Sequence, residues 1–422
     1  MAAQTIQAVR GMNDVLPDEA ALWEKLEDAA RETFAQYGYR NIRVPIVEQT
    51  PLFVRGIGDA TDIVEHEMYS FEDRLSNENL TLRPEATAGI VRAAIEHHLT
   101  YERPQRVWMA GPMFRHERPQ KGRYRQFHQL DVEALGFEGP DVDAEQIVML
   151  SRLWAKLGLT GMRLHINTIG DPEERAAHRR ALTAYFEKHE QELDEDSRRR
   201  LVTNPLRILD SKNPAMQRMI AGAPKLVDQL GSESPSLRHF QSVKALLTEA
   251  RVAFEVDTRL VRGLDYYNRT VFEWMTDRLG AQGTVAGGGR YDGLFEQLGG
   301  KPTPACGFAI GVERMILLLQ ESTALRPSVP DAYVLHVGES AARLARATAE
   351  ALRDAGLAVV VNAGGGGFKA QMRRADASGA RWAVIVGEEE ASANCVGVKP
   401  LRVAGEQVAL PPEDVAKHIG SN

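Results

Sequence analysis

Residues 111–136 read Gly-Pro-Met-Phe-Arg-His-Glu-Arg-Pro-Gln-Lys-Gly-Arg-Tyr-Arg-Gln-Phe-His-Gln-Leu-Asp-Val-Glu-Ala-Leu-Gly. The apolar run Val107-Trp108-Met109 before this stretch and the run Phe127–Leu135 within it predict two strands. Pro119 and Gly122 break the intervening residues into a loop. Between Arg115 and Arg125 stand five cations (Arg115, Arg118, Lys121, Arg123, Arg125) and one anion, Glu117. The guanidinium fork of arginine matches phosphate oxygens in pairs. Tyr124 and Phe127 interleave with these cations, so a base can stack beside its phosphates. A solvated surface hairpin accounts for a charge run alone. The preference for arginine over lysine and the interleaved aromatics favour a loop that holds a polyanion.

The surrounding chain is acidic, with a net charge of −7 over 422 residues. That balance argues against indiscriminate nucleic-acid binding. It leaves room for local basic patches, because screening confines each one to roughly 8 Å at physiological salt. The length suits two or three domains, and a 43% apolar fraction suffices for a core. No apolar run approaches the ~20 residues of a membrane helix. Met1–Arg10 lacks the hydrophobic centre of a signal peptide. Cys306 and Cys395 have neither metal-ligand spacing nor a disulfide framework. The expectation is a cytoplasmic protein with no membrane partner and no dedicated metal site.

The prolines of Arg326–Pro330 mark a linker, dividing residues 1–325 from 331–422. Beyond it, strand-like runs at Ala332–Val337, Leu357–Val361 and Trp382–Val386 alternate with helical stretches. The first helix is expected to be capped by Ser340 and to end near Ala355 before Gly356, with Leu344, Thr348, Ala351, Leu352 and Ala355 on one face. The second covers Phe368–Ser378. This is the pattern of a small α/β domain with a mostly parallel sheet. The region before the linker reads as α+β with an antiparallel sheet. It has a helix at Leu22–Tyr37 and strands at Ile42–Val47, Val107–Met109, Leu164–Asn167, Phe254–Val256 and Thr270–Trp274. Residues of about 172–245 are helical in pattern and highly charged, as a helical insertion would be.

Four further segments bear on chemistry. In Leu82-Arg83-Pro84-Glu85-Ala86-Thr87 a carboxylate and a hydroxyl stand two residues apart before an apolar helix, where they could simply cap it. Leu260–Tyr267 carries Arg262, Tyr266 and Tyr267 in a turn-like stretch. Ala286-Gly287-Gly288-Gly289-Arg290-Tyr291-Asp292-Gly293 would let backbone approach a ligand, although it matches neither a P-loop nor a dinucleotide fingerprint. Cys306–Arg314 reads as a strand entering a helix at an arginine, a second phosphate clamp.

Taken together these segments resemble those of the histidyl-tRNA synthetases, which are class II aminoacyl-tRNA synthetases, over nearly the whole chain. Residues 111–136 are similar to class motif 2, 306–319 to motif 3, and the stretch around Val44-Pro45-Ile46 to motif 1, whose proline lies at the dimer interface of the class. Leu260–Tyr267 and Ala286–Gly293 resemble the two histidine-specific motifs. The resemblance implies histidine activation by ATP, followed by transfer to the cognate tRNA, in a homodimer, with Mg²⁺ on the ATP phosphates. It implies that Arg115 binds the α-phosphate and that Arg262, the chief catalytic cation, lies against both it and the histidine carboxylate. Arg123 and Arg314 would hold the outer phosphates and Phe127 the adenine. Glu85, Thr87 and Gln129 would take the α-ammonium group of histidine, and Glu133 and Tyr267 its imidazole, with Tyr266 lining the same pocket. Arg118 and Gln120 would read the tRNA acceptor end. The C-terminal α/β domain resembles an anticodon-binding domain, with Gly365, Phe368 and Lys369 on the tRNA face, accompanied by Gln371, Arg373 and Arg374. Ala86 stands where the family pattern has glycine, which bears on the fine geometry of the pocket.

One rival is a catalytically silent paralogue that regulates ATP phosphoribosyltransferase. Such proteins typically lack the C-terminal domain and have degraded histidine and ATP motifs, whereas Arg262, Tyr266, Tyr267 and the region after Pro330 are present here. A second rival, another class II specificity, is opposed by the Tyr-Tyr segment.

Overall fold

The computed structural model describes residues 5–58, 61–322 and 329–420. The chain forms two compact units, Met1–Leu325 and Arg326–Asn422. As far as Ser328, the expected linker lies outside the described residues.

An eight-stranded sheet organises the first unit, in the order Arg40–Asn41, Gln105–Phe114, Gln126–Leu135, Ala305–Gly311, Thr284–Arg290, Asn268–Met275, Arg163–Thr168, Glu255–Val256. The outermost pair at each edge is parallel and all pairs between are antiparallel. This is the antiparallel α+β architecture expected. Successive side chains of a strand point to opposite faces, and Gln126–Leu135 uses both. Leu130, Val132 and Ala134 enter the main core, against Leu22 and Leu26 of helix Pro17–Gln36, Ile147 and Leu150 of helix Pro140–Lys156, and Met315 and Leu319 of helix Val312–Ser322. Burial of each such large side chain contributes about 1.5–3 kcal/mol. Gln129, Asp131 and Glu133 turn to the other face. There a second core around Val107, Met109, Ile90 and Phe295 covers one end of the sheet.

Several elements differ from expectation. The Ile42–Val47 stretch is not one strand. Ile42 N–H still bonds Trp108 O at 2.8 Å, but the chain then leaves the sheet. Pro45 has no N–H to offer a ladder. Arg83 takes up the local carbonyls instead, donating from Nη1 to Val44 O at 2.9 Å and from its backbone N–H to Ile46 O at 2.8 Å. Val47–Gln49 then opens a separate three-stranded sheet with Asn79–Leu82 and Tyr69–Glu72. Ala286–Gly293 begins inside the large sheet, where residues Thr284–Arg290 are a strand, and its Ala286, Gly287 and Tyr291 line the cavity described below. The Phe254–Val256 strand shortens to Glu255–Val256.

Helices Pro172–Glu187 and Glu195–Thr203, with the short turns after them, gather on their own small core of Leu182, Phe186, Ile208, Met216 and Ile220. Helix Pro235–Glu249 packs differently, sending Phe240, Val243 and Leu247 into the main core.

In the second unit a five-stranded sheet runs Val359–Val361, Ala332–His336, Trp382–Val386, Val396–Pro400, Val408–Leu410. The first three strands are parallel and the last two antiparallel to their neighbours. Ser340 does not cap the first helix. Glu339–Asp354 starts after Gly338, whose φ of 103° suits glycine, and Ser340 sits inside the first turn. Its buried stripe is Ala341, Ala345, Thr348, Ala349 and Leu352, while Ala351 and Ala355 face solvent. Alanines four residues apart let the helix lie close on the sheet, which a search for large apolar residues misses.

Candidate active site

A cavity of about 410 Å³ opens over the polar face of the large sheet. That size suits a small-molecule site. Glu85, Thr87, Arg115, Arg123, Phe127, Gln129, Arg262, Tyr266, Tyr267 and Arg314 all line it. Segments separated by up to 229 residues in the chain are therefore brought together. Glu133 lies just beneath the lining, and Arg118 and Gln120 lie on the exposed part of the loop.

One end of the cavity is cationic. Arg115 donates from Nε to Pro84 O at 2.9 Å, and its guanidinium lies 5.1 Å from the Phe127 ring centre. Arg314 is fixed by Gly122 O at 3.0 Å, Gln282 Oε1 at 2.8 Å and Thr284 O. Burial, then repulsion from Arg115 and Arg123, lowers the Arg314 pKa to about 10. Burial also lowers that of Arg115, with Arg262 adding to the fall and Glu67 and Glu85 opposing it. A cluster of mutually repelling guanidiniums is a site prepared for anionic charge. Arg123 pairs with Glu117 and, at 3.5 Å, with Glu67.

The other end is acidic and aromatic. Glu85 accepts the N–H groups of Thr87 and Ala88, each at 2.9 Å, and so caps helix Thr87–Glu96 with its side chain. Thr87 does not cap; its hydroxyl donates to Glu133 Oε1 at 2.7 Å. Tyr291 donates to the other oxygen of Glu133. Gly307 makes room for that carboxylate, since a Cβ there would fall 1.5 Å from Glu133 Oε2. Glu133 therefore holds the pocket wall from behind, where the resemblance places it on the imidazole. Burial raises its pKa to about 8, aided by Glu85 and opposed by the Tyr291 and Thr87 hydrogen bonds. Burial, then Glu133 and Glu85, pushes Asp131 well above the carboxylate range. Gln129 Oε1 and Asp131 Oδ2 are buried without a hydrogen-bond partner among the described residues. Unmet acceptors beside crowded carboxylates suit a cationic ligand such as an ammonium group. Tyr266 and Tyr267 pack at 4.7 Å between ring centres and complete this end.

Arg262 is joined to both ends. Its guanidinium pairs with Glu273, lies 5.7 Å from the Tyr267 ring centre and repels Arg115. Burial opposes its charge, but Glu273, together with Tyr267 and Tyr266, raises its pKa above the ordinary arginine value. Glu273 is held in turn by Thr284 Oγ1 at 2.8 Å.

Ala86 is fully buried in the core with Ile90 and Val91, and is not among the pocket-lining residues. Its methyl thus stays clear of the substrate space. Sequence reasoning missed Glu117, Asp131, Glu273, Gln282 and Tyr291, all of which line the cavity. Asp131 was readable, because it alternates with Gln129 and Glu133 on one strand face. Arg290 is structural: it is fully buried, with Asp143 Oδ1 at 2.6 Å and Phe137 O and Gly139 O each at 2.8 Å.

In the second unit, Gln371 is not on a binding face. It is 1% exposed, accepting from His336 N at 3.0 Å and donating to His336 O and Gly366 O, each at 2.7 Å. Arg374 donates to Asn362 Oδ1 at 2.9 Å and Gly365 O at 2.7 Å. These two residues hold the Gly364–Gly367 loop in shape, leaving Gly365, Phe368, Lys369 and Arg373 exposed.

Comparison with known proteins agrees with this chemistry. A family model described as histidyl-tRNA synthetase matches residues 11–315, and one described as anticodon binding domain matches residues 331–422. The histidine–tRNA ligase of Nitrosomonas europaea is 60% identical over 419 residues, covering 99% of each chain. That of Dechloromonas aromatica is 61% identical over 420 residues, covering 99% of this chain and 97% of its own. The crystal structure of apo histidyl-tRNA synthetase from S. aureus superposes with a TM-score of 0.81 at 34% identity, covering 98% of this chain and 100% of that one. With family models over both parts of the chain and a relative 60% identical over nearly its full length, the chain belongs to the histidyl-tRNA synthetase family.

Proposed function

We propose that Arg262 is the chief catalytic cation of this pocket. The chain ligates histidine to its tRNA in two steps. ATP and histidine first give histidyl-adenylate and pyrophosphate, and the terminal ribose of the tRNA then takes the histidyl group. In the first step the histidine carboxylate attacks the α-phosphate and charge builds on the phosphate oxygens. Catalysis of such a step is chiefly positioning and fixed positive charge. The observation that carries the assignment is that Arg262 lines the cavity 5.7 Å from the Tyr267 ring centre, with its charge felt by Arg115.

Arg115 joins it on the α-phosphate, Arg123 and Arg314 hold the outer phosphates, and Phe127 stacks on adenine. Glu85, Thr87 and Gln129 receive the ammonium group. Tyr266 and Tyr267 face the imidazole, with Glu133 steering that wall through Thr87 and Tyr291. A site that hydrogen-bonds its substrate in this way rejects apolar analogues by roughly 10⁴-fold without editing. No group of three or more metal-ligating side chains occurs among the described residues. Asp210 and Glu273 do line the cavity, and Glu273 is committed to Arg262. That donor set suits Mg²⁺ carried by the ATP phosphates, where it would neutralise phosphate charge.

Arg118 and Gln120 are free of the cavity and face solvent, as contacts to the tRNA acceptor end require. Exposed Gly365, Phe368 and Lys369 take the anticodon side. Domains 1–325 and 331–422 divide these tasks, with the helical insertion near 172–245 serving the first. A homodimer through the motif 1 region is supported by Ile46, Val47 and Phe71, which are 41%, 38% and 46% exposed. No described helix is long and apolar enough to cross a membrane. The proposed place of action is the cytoplasm.

The test is ATP–pyrophosphate exchange across a panel of amino acids. Histidine alone is expected to support it. Arg262→Ala is expected to depress adenylate formation far more than histidine binding. Equal losses would remove its transition-state role. Absence of exchange with histidine still bound would favour the regulatory paralogue.

A further inference from the structure

The segment Leu260–Arg269, which carries Arg262, Tyr266 and Tyr267, is tied to the insertion at several points. Arg175, on the first insertion helix, donates from Nη1 to Asp265 O at 3.3 Å and to Tyr267 O. Those two carbonyls bracket Tyr266. Asp171, at the start of the same helix, forms a two-pronged pair with Arg269, at 2.8 and 3.2 Å. Arg269 adopts a φ of +50°, uncommon for a side-chain-bearing residue, and its N–H bonds Gly170 O at 2.9 Å. From a later part of the insertion, Asn204 Nδ2 donates to Asp265 Oδ1 at 3.2 Å. On the other side, Asp265 N–H bonds Ile57 O at 3.0 Å. The histidine-facing tyrosines thus hang between helix Thr50–Ile57 and the insertion.

We propose that Arg175 is a positioning residue for the histidine pocket, so that docking of the insertion sets histidine affinity through the Asp265 and Tyr267 carbonyls. Arg175 itself does not line the main cavity. It acts by fixing two backbone carbonyls, and with them the direction of the Tyr266 and Tyr267 rings. A guanidinium is suited to this because its planar donors serve two carbonyls at once, whereas an ammonium group on a flexible stem is less well ordered. Burial lowers the Arg175 pKa, opposed by Asp265, in keeping with a charge set into this joint. The inference rests on the assignment of Tyr266 and Tyr267 to histidine.

The experiment is steady-state pyrophosphate exchange with the full chain, read separately as KM for histidine and KM for ATP. Loss of a charge-assisted hydrogen-bond pair is expected to raise histidine KM roughly tenfold in Arg175→Ala, with ATP KM within about twofold. Arg175→Lys is expected to recover part of the loss. Asn204→Ala, which loosens the same segment without removing a charge, is expected to give a smaller rise of the same kind. A lowered melting temperature with histidine KM unchanged in both Arg175→Ala and Asn204→Ala would overturn the inference, leaving Arg175 a structural residue. A parallel rise in both KM values would overturn it as well. Tyr267→Phe separates the two readings: if it leaves histidine KM unchanged, the assignment of the pocket fails first. If it raises KM and the Arg175 variants do not, only the coupling fails.

Discussion

The guanidinium of Arg262 lies flat on the backbone of Gly287, so close that a Cβ there would stand 2.5 Å from Nη1 and 2.9 Å from Cζ. Gly287 sits in a strand paired on both sides, opposite Glu273 and Ala309. The same strand register therefore delivers both the surface on which Arg262 rests and the carboxylate that holds it. Gly287→Ala is expected to push the guanidinium off this surface while the strand stays in place. Histidine-dependent exchange should fall by roughly 10–100-fold in kcat, with a stability change within about 1 kcal/mol. A variant that exchanges at the parent rate would show that Arg262 works from another position.

The neighbouring carboxylate Glu133 gives a pH prediction. Burial moves its pKa from 4.5 to about 8 in the folded protein. Between those values the unfolded chain has released a proton that the folded chain keeps. Stability from this group therefore falls as pH rises through the window and levels off above it. Glu133→Gln, which cannot ionise, is expected to remove that fall. Urea denaturation at pH 5.5 and pH 8 should show the variant gaining on the parent toward the higher pH, by roughly 1–3 kcal/mol. A gap that stays constant would mean that Glu133 is already ionised in the folded protein at pH 5.5.

Arg290 separates support from chemistry. Its side chain is fully buried and ion-paired with Asp143, which His239 also meets at 2.6 Å. Removing one partner of a buried pair leaves a charge without compensation and costs about 3–5 kcal/mol. Arg290→Met is expected to lose about that much in chemical denaturation, while histidine KM in the remaining folded enzyme stays within about twofold. A large KM effect at unchanged stability would give Arg290 itself a ligand-binding role.

These cases show which parts of the site can be read from the chain and why. The cationic loop and its strands are local: Arg115, Arg123 and Phe127 lie within one hairpin, so charge and periodicity place them together. The strand from Ala305 leads directly into the helix that bears Arg314. The sheet face of Gln129, Asp131 and Glu133 follows from a period of two. What local pattern hides is long-range pairing. Glu67 reaches Arg123 across 56 residues, Glu313 receives the amide of His128 across 185, and Tyr291 reaches Glu133 across 158. The glycine run is a related case. A strand that lets side chains from neighbouring segments lie on its backbone has the same composition as a loop that admits a ligand. Gln371 misleads, since a polar residue after a glycine loop reads as exposed until its three partners are seen.

That last residue allows the tRNA face of the second unit to be tested. Lys369 and Phe368 are exposed, whereas Gln371 satisfies both backbone groups of His336 and the carbonyl of Gly366. Lys369→Ala and Phe368→Ala are expected to weaken tRNA charging, with stability changes within about 0.5 kcal/mol. Loss of a phosphate contact by lysine should also flatten the salt dependence of tRNA affinity. Gln371→Ala should lower the stability of the second unit by about 1–3 kcal/mol, because it leaves buried backbone groups unpaired. It should also weaken charging, by loosening the loop rather than by removing a contact. All three variants should leave histidine-dependent exchange intact, since that step belongs to the first unit. Removing residues 331–422 should likewise reduce charging more than exchange. Charging untouched by that deletion would place tRNA selection wholly in the first unit, and a common loss in both assays would make the second unit a support for the first.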